Sequence, residues 1–151
     1  IINTKDYNFK IGKAIKLVEG NEITIFGSGN ILGNCIEAAN LLSKENINCS
    51  VYNMHTIKPI DNEIILKESE NSKLIISVEE HNVIGGLGSA ISEVLSGHEN
   101  KTRLIRIGVN DFYSDGGSYN YLKDKYGLST EKIINKIKSN IYIINEKQRK
   151  I

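Results

Sequence analysis

Residues 74–95 read LIISVEEHNVIGGLGSAISEVL, and this stretch decides the architecture. Residues 74–78 form an apolar run rich in Ile and bounded by polar residues, the pattern of a buried strand. From Leu87 onward, Leu87, Ile91, Val94 and Leu95 recur at helical spacing. Between strand and helix stand Glu79, Glu80, His81 and Asn82, then the turn Gly85-Gly86-Leu87-Gly88. Glycines in such a turn serve positive φ or the close approach of another backbone. In open α/β sheets, sites form at the carboxyl ends of the strands. Glu80, His81, Asn82, Gly85, Gly86 and Gly88 are therefore candidate loop or interface residues.

The flanking chain alternates in the same way. Residues 14–18 and 23–26 are strand candidates separated by Gly20-Asn21, and so short a connection predicts an antiparallel pair. Gly27-Ser28-Gly29-Asn30 opens a helix over residues 31–44 with a wide apolar stripe, capped by Ser28 or Asn30. A third strand over residues 49–52 leads into Met54-His-Thr-Ile-Lys-Pro-Ile-Asp61. Pro59 ends any helix there, and Asp61 N-caps a short helix to about residue 69. Residues 102–107 alternate Leu104, Ile105 and Ile107 with Arg103 and Arg106, as an edge or half-exposed strand does. Tyr119, Leu122 and Tyr126 share a helix face closed by Gly127, and Ser129 caps a last helix carrying Ile133, Ile134, Ile137 and Ile141.

This order predicts an α/β fold: three α/β/α layers around a five-stranded, mostly parallel sheet whose first strand is antiparallel. Residues 1–10 read as an arm or linker, 11–145 as one domain and 146–151 as a solvated, charged tail. The loops after three strands bring Ser28, His55, Lys58, Glu79, Glu80, His81 and Asn82 to one edge of the sheet.

Composition narrows the function. Nineteen basic and 18 acidic residues leave a net charge of +1, which gives no electrostatic case for nucleic acid or an anionic membrane. No apolar run reaches transmembrane length. Cys35 and Cys49 lack metal-ligand spacing, so no metal site is predicted; both read as packing residues in a reducing cytoplasm. The segment GSGNILG is superficially a dinucleotide fingerprint. The acid it requires after the next strand is replaced by Asn53, Met54 and His55, which argues against a nicotinamide cofactor.

FKIGKAIKLVEGNEITIFGSG, VYNMHTIKPID, VEEHNVIGGLGSAISEVL and KYGLSTEKI, in that order and spacing, resemble the C-terminal domain of transketolase-type thiamine diphosphate enzymes over about residues 8–138. Transketolase, particularly the small subunit of split transketolases, is the nearest branch, and deoxyxylulose-phosphate synthase the next. The resemblance implies a parent enzyme that moves a two-carbon ketol unit between sugar phosphates in carbohydrate (pentose phosphate) metabolism. It also implies that thiamine diphosphate and magnesium are held by other domains or by a partner subunit. No Gly-Asp-Gly cofactor motif occurs in this sequence, so no cofactor and no catalytic residue is expected in this chain. Its implied role is structural: it completes a homodimer with the other domains. In the synthase branch an arginine four residues before the motif proline contacts substrate phosphate. That position is His55 here, so His55 and Lys58 are candidate substrate-binding residues. The reading from a different class is a freestanding assembly or regulatory module that holds a partner or a small anion at the helix terminus of residues 85–89.

Overall fold

Strand burial decides the order of the sheet. In a computed structural model that describes residues 8–99 and 102–149, the strands are β1 (Ile15–Val18), β2 (Ile23–Gly27), β3 (Cys49–Asn53), β4 (Leu74–Asn82) and β5 (Arg103–Val109). The helices are α1 (Leu32–Ser43), α2 (Asn62–Asn71), α3 (Leu87–Ser96), α4 (Tyr119–Lys125) and α5 (Thr130–Arg149). The sheet runs β1-β3-β2-β4-β5. β2 is parallel to both β3 and β4, and β4 is parallel to β5. β1 is antiparallel to β3. β2 and β3 are buried along their whole length, as the interior of a sheet covered on both faces requires, and the half-exposed β1 takes an edge.

The expected direction of β1 holds, and its partner is found further along the chain. β1 does run against the other strands, but its hydrogen-bonded partner is β3, so residues 14–18 and 23–26 form no hairpin. The connection between them crosses over the start of β3. A Cβ on Gly20 would lie 2.2 Å from the Cys49 carbonyl carbon, and Glu22 N–H donates to the Asn48 carbonyl at 3.1 Å. Both edges of β2 are already taken by long, apolar parallel neighbours.

Alternate residues of each strand feed two cores. Ile23, Ile25, Leu74, Ile76 and Val78 pack under α1 and α5 with Cys35, Leu42, Ile133 and Ile137. Phe26, Tyr52 and Ile75 pack under α2 and α3 with Ile65, Leu87 and Ile91. Cys35 and Cys49 are both buried free thiols, pushed up to about 12 by desolvation.

The second face also holds a polar ring that periodicity does not reveal. The Glu68 carboxylate accepts from the Thr24 hydroxyl at 2.9 Å and from the Tyr52 hydroxyl at 2.7 Å. The Ser50 and Ser72 hydroxyls each lie 2.8 Å from Thr24 Oγ1. Burial and the bond to Glu68 push the Tyr52 phenol up to about 12.

The helix ends agree with the sequence in part. Asp61 caps α2 by accepting from Ile64 N–H at 3.4 Å, and its other oxygen accepts from Ala14 N–H at 2.9 Å. Gly127, at φ +79°, closes α4. Neither Ser28 nor Asn30 caps α1: residues Gly29–Ile31 form a 3-10 turn, and Ile31 precedes the α-helix without a side-chain cap. The Ser129 hydroxyl donates to Asp124 at 2.7 Å, and it is the Ser129 carbonyl that accepts from Ile133 N–H. α5 runs through Arg149, so residues 146–149, expected as a tail, have helical backbone. Residues 1–7 of the expected arm, and residues 150 and 151, lie outside the described part. Among the described residues no helix is long and apolar enough to cross a membrane.

The ring gives a test. Thr24→Val keeps volume but removes a hydroxyl that a buried carboxylate uses, so it should cost about 1–3 kcal/mol. Ile25→Val in the opposite core should cost about 0.5–1.5 kcal/mol. Urea unfolding compares the two, and a neutral Thr24→Val would show that the ring contributes nothing.

Candidate functional site

β2 and β4 are neighbours, but the chain leaves them in opposite directions across the sheet, β2 toward β3 and β4 toward β5. At such a reversal the following loops part and leave a crevice at the carboxyl ends of the strands. A crevice of about 350 Å³ lies there, lined by Ser28 and Gly29 after β2, Ile57 after β3, and Glu79, Glu80, His81, Gly85 and Gly86 from β4 and its turn.

Its wall is built by Glu79, which is 2% exposed. One carboxylate oxygen accepts from Leu87 N–H at 2.7 Å and the other from Gly88 N–H at 2.9 Å. These are among the free donors at the start of α3, where the helix dipole favours negative charge. The side chain is a built-in anion. The glycines follow from it. Gly86, with φ −92°, is needed for space, because a Cβ there would lie 1.9 Å from Glu79 Oε2. Gly85 is needed for its φ of +76°. Gly88 lies against Ser77 and Arg106, with no room for a Cβ: Ser77 Oγ would be 2.5 Å away.

The remaining candidates have separate surroundings. Glu80 is exposed and accepts a hydrogen bond from the Tyr119 hydroxyl, which pushes that phenol up to about 12. His81 is exposed, with Nδ1 2.9 Å from the Asn82 carbonyl. Asn82 holds the turn by accepting from Ile84 N–H at 2.8 Å, and donates to Asp111 at 3.1 Å. Glu80, His81 and Asn82 also border a second pocket of about 430 Å³, whose apolar part comes from Val109, Phe112, Leu122, Tyr126 and Leu128.

The loop after β3 is held by the N-terminal segment. Gly12 N–H donates to Thr56 Oγ1 at 2.9 Å, and the His55 ring packs on Phe9 with centroids 4.5 Å apart. Lys58 is exposed. Of the residues expected on one edge, Ser28, Glu79, Glu80 and His81 share the crevice, and Ile57 enters it from the β3 loop. His55 is turned to Phe9 instead. Glu79 stood among the expected edge residues without a role, although a carboxylate eight residues before a glycine-rich helix start is the signal for this clamp.

This arrangement does not fit a diphosphate. The helix terminus that would bind one is already neutralised by Glu79, and Glu80 adds a second carboxylate to the same crevice. The same clamp corrects the expectation of a freestanding module holding a small anion at residues 85–89. Among the described residues no cluster of three or more His, Cys, Asp or Glu could hold a metal ion.

Residues 12–133 match the family described as transketolase, C-terminal domain. The chain belongs to this family. It is 37% identical to a 6-deoxy-6-sulfo-D-fructose transketolase subunit of Clostridium sp., over 88% of this chain and 41% of the relative. It is 38% identical to a 1-deoxy-D-xylulose-5-phosphate synthase of Heliobacterium modesticaldum, over 82% of this chain and 19% of that protein. Among solved structures it is similar to a split gene transketolase described as an inactive beta4 tetramer, with TM-score 0.86 and 34% identity, over 92% of this chain and 45% of the other. The chain thus spans less than half the length of these relatives. The five-stranded mixed sheet, with one antiparallel strand, is the family's C-terminal fold.

Glu79→Gln puts an amide where two N–H groups need acceptors and should cost about 1.5–3 kcal/mol, whereas exposed Glu80→Gln should stay within about 0.5 kcal/mol. Gly85→Ala should cost about 1–2 kcal/mol through its left-handed backbone, and Gly86→Ala should act by displacing the Glu79 carboxylate. Thermal melts rank all four; equal melting temperatures for the two glutamine variants would dismiss the clamp.

Proposed function

We propose that this chain is the third domain, or part of the smaller subunit, of a transketolase-type enzyme. Its parent transfers two-carbon ketol units between sugar phosphates, using thiamine diphosphate and magnesium held by other domains or a partner subunit. The role of this chain is assembly: the carboxyl edge of its sheet, with Glu80, His81, Asn82, Gly85, Gly86 and Gly88, docks on those domains within a homodimeric, cytoplasmic enzyme, and none of its residues is catalytic. The observation that carries this reading is the match to the split gene transketolase chain, of which this chain covers 45%. Exposed apolar residues beside that edge, Ile57 at 43% and Ile84 at 63%, support docking, as does the clamp that keeps the helix terminus from a diphosphate.

The test combines this chain with the cofactor-bearing remainder of the enzyme and assays ketose-phosphate donors against pyruvate. Ketol transfer should require both parts, and the chain alone should give no heat with thiamine diphosphate and magnesium in calorimetry. Turnover or saturable cofactor binding by the chain alone contradicts the assembly role. Use of pyruvate as the only donor establishes the synthase reading, which the 38% identity to the synthase favours.

His55 and Lys58 are proposed to give this edge its weak recognition of substrate phosphate. Histidine lacks the planar, bidentate fork with which arginine, used in the synthase branch, grips a phosphate. In the assembled enzyme, His55→Ala should raise KM for a phosphorylated acceptor more than it lowers kcat, the pattern of lost uniform binding. Equal damage with an unphosphorylated acceptor removes His55 from phosphate recognition.

A further inference from the structure

On the flank of the sheet, β5 has no strand beyond it among the described residues. Along its seven residues, alternate residues turn their backbone donors and acceptors outward. Beside that edge runs a groove of about 440 Å³, with Arg106, Ile107 and Gly108 on the strand side and Lys132, Asn135, Lys136 and Ser139 on the α5 side. Lys132, Asn135, Lys136 and Ser139 fall at the spacing of one helix face, so they form a continuous wall. None of the residues lining the groove is acidic, and among the described residues neither Lys132 nor Lys136 has a carboxylate partner. The ion pairs found among the described residues lie elsewhere, on Lys13, Lys16, Lys73, Lys125 and Lys138. β5 itself carries two exposed arginines on opposite faces: Arg103, and Arg106, whose guanidinium donates to the Val83 carbonyl at 3.2 Å and the Ser89 hydroxyl at 3.3 Å.

We infer that the β5 edge and the α5 face beside it form a docking groove for an extended, acidic polypeptide segment, which adds a strand to the sheet. Backbone pairing along β5 supplies the affinity, and alternate side chains supply the selectivity. Carboxylates facing α5 meet Lys132 and Lys136. A second copy of this chain is a poorer occupant, since antiparallel pairing of two β5 edges about Arg103, or about Arg106, sets that arginine against its own copy, and like charges across a strand pair repel. The charges that protect an edge from self-association also select for an acidic partner. The inference does not rest on the role of the crevice in assembly.

The test uses the whole chain, isotope-labelled, and an octapeptide of alternating Glu and Val followed by backbone-amide NMR. The amides of residues 103–109 should shift and saturate, and binding should weaken as salt is raised. The same peptide with Lys for Glu should not bind. A Lys132→Glu/Lys136→Glu variant, altered only on the helix surface, should weaken the Glu peptide about tenfold, the sum of two modest surface ion pairs. N-methylation of alternate peptide nitrogens should abolish binding, because it removes the donors that pair with β5. Four results overturn the inference: no shift in residues 103–109, equal binding of the Lys peptide, undiminished binding of the N-methylated peptide, or β5 shifts that arise on concentrating the chain without peptide. The last makes the edge a self-association surface.

Discussion

The constraint on which this domain turns is a buried carboxylate at a helix start. β4 is held on both sides, by β2 and by β5, and at its carboxyl end Glu79 would be a desolvated charge without a partner. The N-terminus of α3 supplies what it lacks: two aligned N–H donors and a favourable dipole. Satisfying the carboxylate therefore forces glycine at position 86, and it holds the start of α3 close to the sheet, where Ser77 and Arg106 leave no room for a side chain at position 88. It also shapes the crevice between the loops after β2 and β4. A device that elsewhere in α/β proteins captures a ligand's phosphate is here occupied from within.

That occupation accounts for what this edge can do. With its anion-binding terminus filled, the crevice keeps an exposed histidine, a second carboxylate tied to Tyr119, and two exposed isoleucines at its rim or turn. Such a surface is suited to contact with protein more than to holding a charged cofactor. This agrees with a family whose domain forms less than half of the relatives it matches.

Much of the architecture was legible from periodicity. The run at residues 74–78 is apolar but for Ser77, which marks a strand covered on both faces, the turn signals bounded the strands at 23–26 and 49–52, and the helix stripes fell where α1, α3 and α5 lie. The partner of β1 was not legible. A short connection fixes the direction of the next strand, but competition for the edges of β2 is decided by segments far along the chain, at residues 49–53 and 74–78. The cluster around Thr24 and Glu68 was not legible for a similar reason, since Thr24, Ser50 and Tyr52 look like exposed polar positions until the sheet stacks them under the end of α2, where Ser72 joins them. At the site, the glycines and the cluster at residues 79–82 were visible as a motif. Which of two adjacent glutamates points inward depends on strand phase at the end of β4, and the preference of His55 for Phe9 depends on how the N-terminal segment folds back.

The central claim is that Glu79, and no external anion, satisfies the start of α3. The most direct measurement follows the backbone amide signals of Leu87 and Gly88 while inorganic diphosphate is titrated into the wild-type chain. Both signals should stay in place, because their protons are already committed to the carboxylate. Saturable movement of these two signals, at concentrations that leave other amides unmoved, would show that the terminus is open to anions and would contradict the account.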